Sequence, residues 1–442
     1  MARRRSGSGL PVDSRAPASS ARQVAADVLD LVLDQQAAAD EAFDAHPTTA
    51  RLERRDRAFA RLLILTVLRR LGEIDAAFRP HLRFAPKERQ AIQILRLGTA
   101  QLLFLKTPPH AAVNESIRLA GKRLAHLVPM LNAVLRKVAA GGPPARSEAE
   151  AALLDTPPWL LESWNAAYGP ATAEAIAAAH LREAPLDIAV RSEPAHWAEL
   201  LDGTIMPGGV IRRPHGAIEE LPGFADGAWW VQDLAANLPA RLLGDVKGHA
   251  VLDIGAAPGG KTMQLAAEGA GVTALDISND RLARLQANLA RTKLEAEIVA
   301  GDALTWRPPH PFPFILLDAP CSATGTIRRH PDAMRNRKPD DIKRQVESQR
   351  RMLDAAAEML APGGRLVFAV CSLQIEEGEA QVQPFLGRQN GRMRLDPVSP
   401  EELPGLEMAV NADGCVRTLP SHLDAAGGLD GFFIARFRRS SH

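Results

Sequence analysis

The chain has 442 residues, of which 46% are hydrophobic and 24% charged, and its formal net charge is +1. That length is too great for one hydrophobic core, so two or three domains are expected, with the composition of a soluble globular protein. No uninterrupted apolar run reaches membrane-spanning length, and three cysteines (Cys321, Cys371, Cys415) with no CxxC pair exclude a disulfide framework and a cysteine metal site.

In chain order, residues 1–19 read as a disordered basic arm, rich in Arg and Ser and poor in acid. Residues 20–145 read as helices. Apolar residues recur at helical spacing from Phe59 to Leu68 and from Ala91 to Leu105, where Thr107-Pro108-Pro109 stops the helix. A third helical stretch is expected from near Ala112 past Leu135, and Gly141-Gly142-Pro143-Pro144 reads as a linker. Between Arg51 and Ala140 stand 18 Lys and Arg against 6 Asp and Glu, a balance of +12, so the remainder sums to about −11. A cationic segment suits a polyanion, because Lys and Arg displace counterions condensed on phosphates. It suits solvated helix faces equally well.

Residues 146–245 are mixed, with one helix expected near Leu160–Ala179 and strand-like pieces such as Asp187–Val190. From 246 to 442 strands and helices alternate. Val251–Ile254, Val272–Asp276, Phe314–Asp318 and Arg365–Val370 are apolar runs that each end in a polar or Gly-rich turn. This pattern predicts a mostly parallel sheet with helices on both faces and ligands at the carboxyl ends of its strands.

Gly255-Ala256-Ala257-Pro258-Gly259-Gly260-Lys261-Thr262 fits the phosphate-binding pattern G-x-x-x-x-G-K-[ST], so a P-loop nucleotidase is one reading. The acids argue for another. Asp276 closes the next strand 21 residues after Gly255, a spacing that suits a ribose, and Asp302 is expected at a further strand end within reach of an adenine amino group. Two acids around a glycine turn suit a cationic adenosine ligand such as S-adenosylmethionine and repel a triphosphate.

Cys321, in Asp318-Ala319-Pro320-Cys321, and Cys371, 50 residues later, each follow a strand end, so neighbouring strands would bring both thiols to one crevice. A thiolate that adds to carbon 6 of cytosine turns carbon 5 into a nucleophile toward a sulfonium methyl, which is covalent catalysis. A carboxylate such as Asp318 can stabilise charge developing at the ring nitrogens. Cys415 has no assigned role.

These residues resemble the Sun-type (NSUN) RNA cytosine-5 methyltransferases, and among them the bacterial small-subunit rRNA branch. The resemblance rests on Val231–Asn237, Leu252–Thr262, Leu275–Ser278, Gly301–Ala303, Leu316–Asp332, Cys371–Glu379 and Asp430–Phe437, in family order. Arg57–Ala60, Gln101–Leu105, Pro108–Ser116 and Leu131–Arg136 resemble the all-helical domain shared with the antitermination factor NusB. The resemblance implies an α/β Rossmann-like methyltransferase domain (246–442) preceded by an all-α NusB-like RNA-binding domain (20–145), with 146–245 as a linker and intermediate α/β region. It implies Cys371 as nucleophile, Cys321 as an aid to product release, and S-adenosyl-L-methionine held by Gly255, Ala256, Ala257, Pro258, Gly259, Gly260, Lys261, Asp276, Arg281, Asp302 and Asp318. The implied substrate is a cytidine in small-subunit (16S) rRNA, free or partly assembled. A cytoplasmic monomer with no metal and no membrane contact is expected. A catalytically silent RNA-binding assembly factor is the alternative from another class. The chain departs from the family pattern at Gly255, where Cys is frequent, at Val370, where Thr is usual, and at Gly378, in place of Asn.

Overall fold

The computed structural model describes residues 20–143, 145–214 and 216–441, so the expected basic arm lies outside the described residues. The chain divides into two compact units that meet between residues 145 and 146.

The first unit is helical. Ser20 caps its opening helix, Ala21–Gln35, by accepting a hydrogen bond from Gln23 N, one of the donors a helix start leaves unpaired. The helices Arg54–Arg69, Arg89–Leu103 and Val128–Gly141 bury Leu63, Ile64, Val67, Ile94, Leu97, Leu131 and Leu135 in one core. Gly98 sits where Leu135 arrives: an added Cβ would meet its side chain at 2.6 Å. The helix expected to run from Ala112 past Leu135 is two helices, Pro109–Arg118 and Val128–Gly141. Gly121 turns the chain at φ +49°, and Pro129, which has no N–H, opens the second.

The second unit begins with Glu148–Asp155, which Ser147 and Glu150 close with reciprocal capping bonds. The single helix expected over 160–179 is Pro158–Tyr168 and Pro170–His180, broken where Gly169 takes φ +80° ahead of Pro170. A small antiparallel sheet follows, made of β1 (Leu186–Val190), β2 (Thr204–Ile205), β3 (Ile211–Arg213) and β4 (Trp229–Val231), in the order β2-β3-β1-β4.

The main sheet comprises β5 (Ala250–Ile254), β6 (Gly271–Asp276), β7 (Glu297–Ala300), β8 (Phe312–Asp318), β9 (Leu360–Val370), β10 (Met393–Leu395), β11 (Val416–Thr418) and β12 (Phe432–Arg439). Its order is β10-β12-β9-β8-β5-β6-β7, with β11 paired to β12. The pairs β5–β6, β6–β7, β5–β8 and β8–β9 are parallel, and β12 runs antiparallel to β9. Alternate residues face opposite sides, as a pleat requires. Val251, Leu316 and Val367 pack with Leu238 and Leu265 of the helices Leu234–Arg241 and Gly260–Ala267. Leu252, Leu317 and Phe368 pack with Leu353 and Phe385 of Pro339–Met359 and Glu379–Arg388. The strand order reverses between β5 and β8, which opens a crevice at their carboxyl ends.

Buried charges join the small sheet to the main one. Arg212 of β3 grips Asp187 of β1 through Nε and Nη2, each at 2.7 Å, and donates to the carbonyls of Ala426 and Gly428 at 2.9 and 2.8 Å. Arg329 reaches Asp233 at 2.7 Å and Asp430 at 3.1 Å, and Arg328 meets the same two acids. Trp164 Nε1 donates to Gln374 at 3.1 Å and the Tyr168 hydroxyl to Leu373 O at 2.6 Å. The helix Pro158–Tyr168 therefore packs on the loop that carries Cys371.

Candidate active site

The carboxyl ends of β5, β6, β8 and β9 surround a cavity of about 410 Å³. Of the residues singled out in the sequence, Gly255, Asp276, Arg281, Asp302, Asp318, Cys321 and Cys371 line it. Ala256, Ala257 and Gly259 are buried in the turn behind it, while Pro258 is exposed. Gly260 begins the helix Gly260–Ala267.

The acids are held differently. Asp276 is nearly buried at the end of β6. It accepts from Ala257 N at 3.2 Å and Ser278 N at 2.9 Å, and Arg281 lies 3.6 Å away, so it braces the glycine turn as well as facing the cavity. Arg281 also donates to Ala257 O. Asp302 lies two residues beyond β7, not at its end, because Gly301 N bonds back to Asp276 O and turns the chain; Leu304 N then caps Asp302 Oδ1 at 2.9 Å. Asp318, the last residue of β8, meets Lys261 Nζ at 2.7 Å. Burial works against the Lys261 ammonium, but Asp318 outweighs it and raises the lysine's pKa. A P-loop lysine must be free for phosphate. Here it is spent on a carboxylate, in a crevice with two further acids, and a triphosphate finds no welcome.

Beyond β8 and β9 the two cysteines converge, with Cys321 Sγ 3.4 Å from Cys371 Sγ. The backbone fixes their loops together: Ala319 N bonds to Ala369 O at 2.9 Å and Gly325 N to Cys371 O at 3.0 Å. Gly325 has no room for a side chain, since a Cβ would stand 1.9 Å from Gly431 O. The hydrogen bond to Cys371, together with burial, pushes the Cys321 thiol up. Cys415 is buried in the core, where desolvation pushes it up to about 12, and it stands outside the crevice lining. Val370 is buried under Cys371 and offers it no hydroxyl. At Gly378 an added Cβ would meet Phe433 and Arg417 at 2.8 Å, so the missing Asn side chain matches the packing of this chain.

Sequence reasoning missed part of the lining. Ile277 follows Asp276 with 71% of its surface exposed, Ala303, Leu304 and Met352 add further apolar surface, and Ser348 adds a hydroxyl. Ile277 and Leu304 were within reach of inspection as neighbours of Asp276 and Asp302. Ser348 and Met352 come from the middle of the helix Pro339–Met359, and nothing local marks them.

Residues 240–438 match the family model described as 16S rRNA methyltransferase RsmB/F, and residues 19–140 match the NusB family. The ribosomal RNA small subunit methyltransferase B of Vibrio cholerae is 36% identical over 80% of this chain and 87% of its own. The chain belongs to the RsmB/F family of rRNA methyltransferases. Among solved structures, that of PH0851 covers 95% of this chain and 99% of its own at a TM-score of 0.75 and 21% identity. NSun6 from Pyrococcus horikoshii with SFG covers 64% of this chain and 98% of its own at 0.53 and 22%. These two likenesses are of fold. The RsmB/F match spans β5 to β12 with the whole crevice, and the NusB match spans the helical unit, so this family member is an rRNA methyltransferase with a NusB domain ahead of its catalytic sheet.

Proposed function

We propose that the protein transfers a methyl group from S-adenosylmethionine to carbon 5 of a cytidine in small-subunit rRNA through a covalent adduct with Cys371. The observation that carries this reading is the thiol pair, 3.4 Å apart, in the same crevice as Asp276, Asp302 and Asp318. The crevice fits such a donor: carboxylates suit a cationic sulfonium nucleoside, and Ile277, Leu304 and Met352 present apolar faces to its base. S-adenosylmethionine bound there supplies an electrophilic methyl group.

The chain's own residues do the rest. Asp276 is placed for the ribose hydroxyls and Asp302 for the adenine amino group. The Cys371 thiolate adds to carbon 6 of the cytosine, forming a C–S bond, and the displaced double-bond electrons make carbon 5 nucleophilic. Asp318, paired with Lys261 at 2.7 Å, stabilises the charge that gathers at the ring nitrogens. After carbon 5 has taken the methyl group, its proton passes to a base, the C5–C6 double bond re-forms and the Cys371 thiolate is expelled. This release is the stage at which we place Cys321.

Incubation with labelled S-adenosylmethionine and unmodified small-subunit rRNA, followed by nucleoside analysis, tests the reading. Label in 5-methylcytidine is expected. Cys371→Ala is expected to make none, and Cys321→Ala to accumulate a protein–RNA adduct. Unchanged turnover in Cys371→Ala would end the assignment.

A further inference from the structure

Glu377 lies at the bottom of the cysteine crevice, with 0% of its surface exposed, in the short turn Ile375–Glu377 after Cys371. A buried carboxylate is costly unless its oxygens are met. Four donors meet this one. Ser322 N donates to Oε1 at 2.9 Å, Gln349 Nε2 donates to the same oxygen at 3.0 Å, and the hydroxyls of Ser322 and Ser372 both donate to Oε2. Ser322 directly follows Cys321 and Ser372 directly follows Cys371. Gln349 also donates to Pro320 O at 3.0 Å, so the helix Pro339–Met359 is tied to the same point.

All four donors are neutral. Arg417, a guanidinium nearby, pairs with Glu379 through two bonds of 2.9 and 2.6 Å and also donates to Ser372 O. Lys261 interacts electrostatically with Cys371. Other charged or titratable groups near the loops among the described residues include Asp318, paired with Lys261, Asp253, which also acts on Lys261, Arg337, which donates to Ser322 O at 3.0 Å, Tyr168 and Glu376. Glu377 adds to the forces that push Cys321 up.

We infer that Glu377 is the positioning residue of the cysteine pair: one carboxylate takes hydrogen bonds from the residue that follows each cysteine, fixing the two loops to each other and to the helix Pro339–Met359, and sets a negative charge near both sulfurs. This rests on the assignment of Cys371 as nucleophile proposed above. Ser322 and Ser372 are the two arms through which Glu377 acts, and Gln349 is the brace.

The test is the rate of iodoacetamide alkylation of each cysteine against pH, read by peptide mass, in the full-length protein and in Glu377→Gln. In the wild type Cys371 is expected to be alkylated first, since the Cys321 thiol is pushed up. In Glu377→Gln, Cys321 alkylation at pH 8 is expected to rise at least tenfold and its profile to move to lower pH. Methyl-transfer kcat should fall at least tenfold with the S-adenosylmethionine Kd unchanged. An unmoved Cys321 profile in a variant that still binds the donor overturns the inference. If Glu377→Gln does not fold, Ser322→Ala and Ser372→Ala decide: each removes one arm from an intact carboxylate, and wild-type kcat in both overturns it, whereas a fall in kcat at constant donor Kd supports it. The nucleophile is identified separately, by sequencing the RNA-linked peptide. Cys321 in that peptide refutes the role of Cys371 itself, whatever Glu377 does.

Discussion

Replacing Arg212 with Met removes the guanidinium that holds Asp187 with two bonds of 2.7 Å and caps the Ala426 and Gly428 carbonyls. Removing one partner of a buried ion pair costs about 3–5 kcal/mol, chiefly because the other charge is left uncompensated. Asp187 would keep Leu234 N at 3.0 Å and Arg329 at 4.0 Å, which places the loss near the lower end, about 3 kcal/mol. At roughly 2–4 °C per kcal/mol for a unit of this size, the melting transition of the 146–441 unit should fall by about 6–12 °C in calorimetry. The double variant Asp187→Leu/Arg212→Met leaves no stranded carboxylate and should recover part of that loss. A single variant within about 1 °C of the wild type, or a double variant that loses the sum of both singles, would refute the reasoning.

Lys261→Met should lower kcat/KM for methyl transfer by about 100-fold or more, since the proposed mechanism loses the cation paired with Asp318; magnesium-dependent ATP hydrolysis should be undetectable before and after, and a Lys261-dependent ATPase would revive the nucleotidase reading. Asp276→Ala should weaken S-adenosylmethionine binding by roughly 10–150-fold in titration calorimetry, the worth of a charge-assisted hydrogen bond, and an unchanged Kd would place the ribose elsewhere. Burial pushes Asp253 up to about 7. The folded state therefore holds a proton that the unfolded chain has lost between about pH 4 and pH 7, so stability falls as pH rises across that window and levels off above it, by up to roughly 4 kcal/mol. Asp253→Asn keeps an acceptor for Thr262 and should gain on the wild type steadily from pH 4 to 7 in thermal melts; parallel curves would contradict this.

The strands that carry the crevice were legible because each is an apolar run that stops at a polar or glycine residue, and a parallel sheet buries both faces of such runs. Their meeting at one edge followed from alternation with helices. The cysteine loops were legible as positions, 50 residues apart, but not as a contact, since 3.4 Å between sulfurs depends on β8 and β9 being neighbours. The helix breaks at Gly121 and Gly169 were hidden by apolar periodicity that continues across them. The buried charges were out of reach for a different reason. Asp187 and Arg212 look like ordinary surface residues, and Asp233, Arg328, Arg329 and Asp430 stood in recognised motifs with no partner in view, until the chain brings positions up to 197 residues apart against one another. Glu377 stood in a recognised motif, yet its four partners come from three separate segments.

The ribosome makes β12 after the eleven strands described before it, yet β12 lies inside the sheet, with β9 on one side and β10 on the other. Six of its residues register with β9, and the carbonyls that complete Arg212 lie just upstream of it. A nascent chain that has emerged as far as β9 and β10 therefore carries an open slot lined by Val367, Ala369 and Val370. Non-local pairing of this kind is slow and exposes strand edges while it waits. Premature termination before Phe432 would leave that slot permanently open, and the fragment should be a substrate for chaperones and proteases rather than a slightly shortened enzyme.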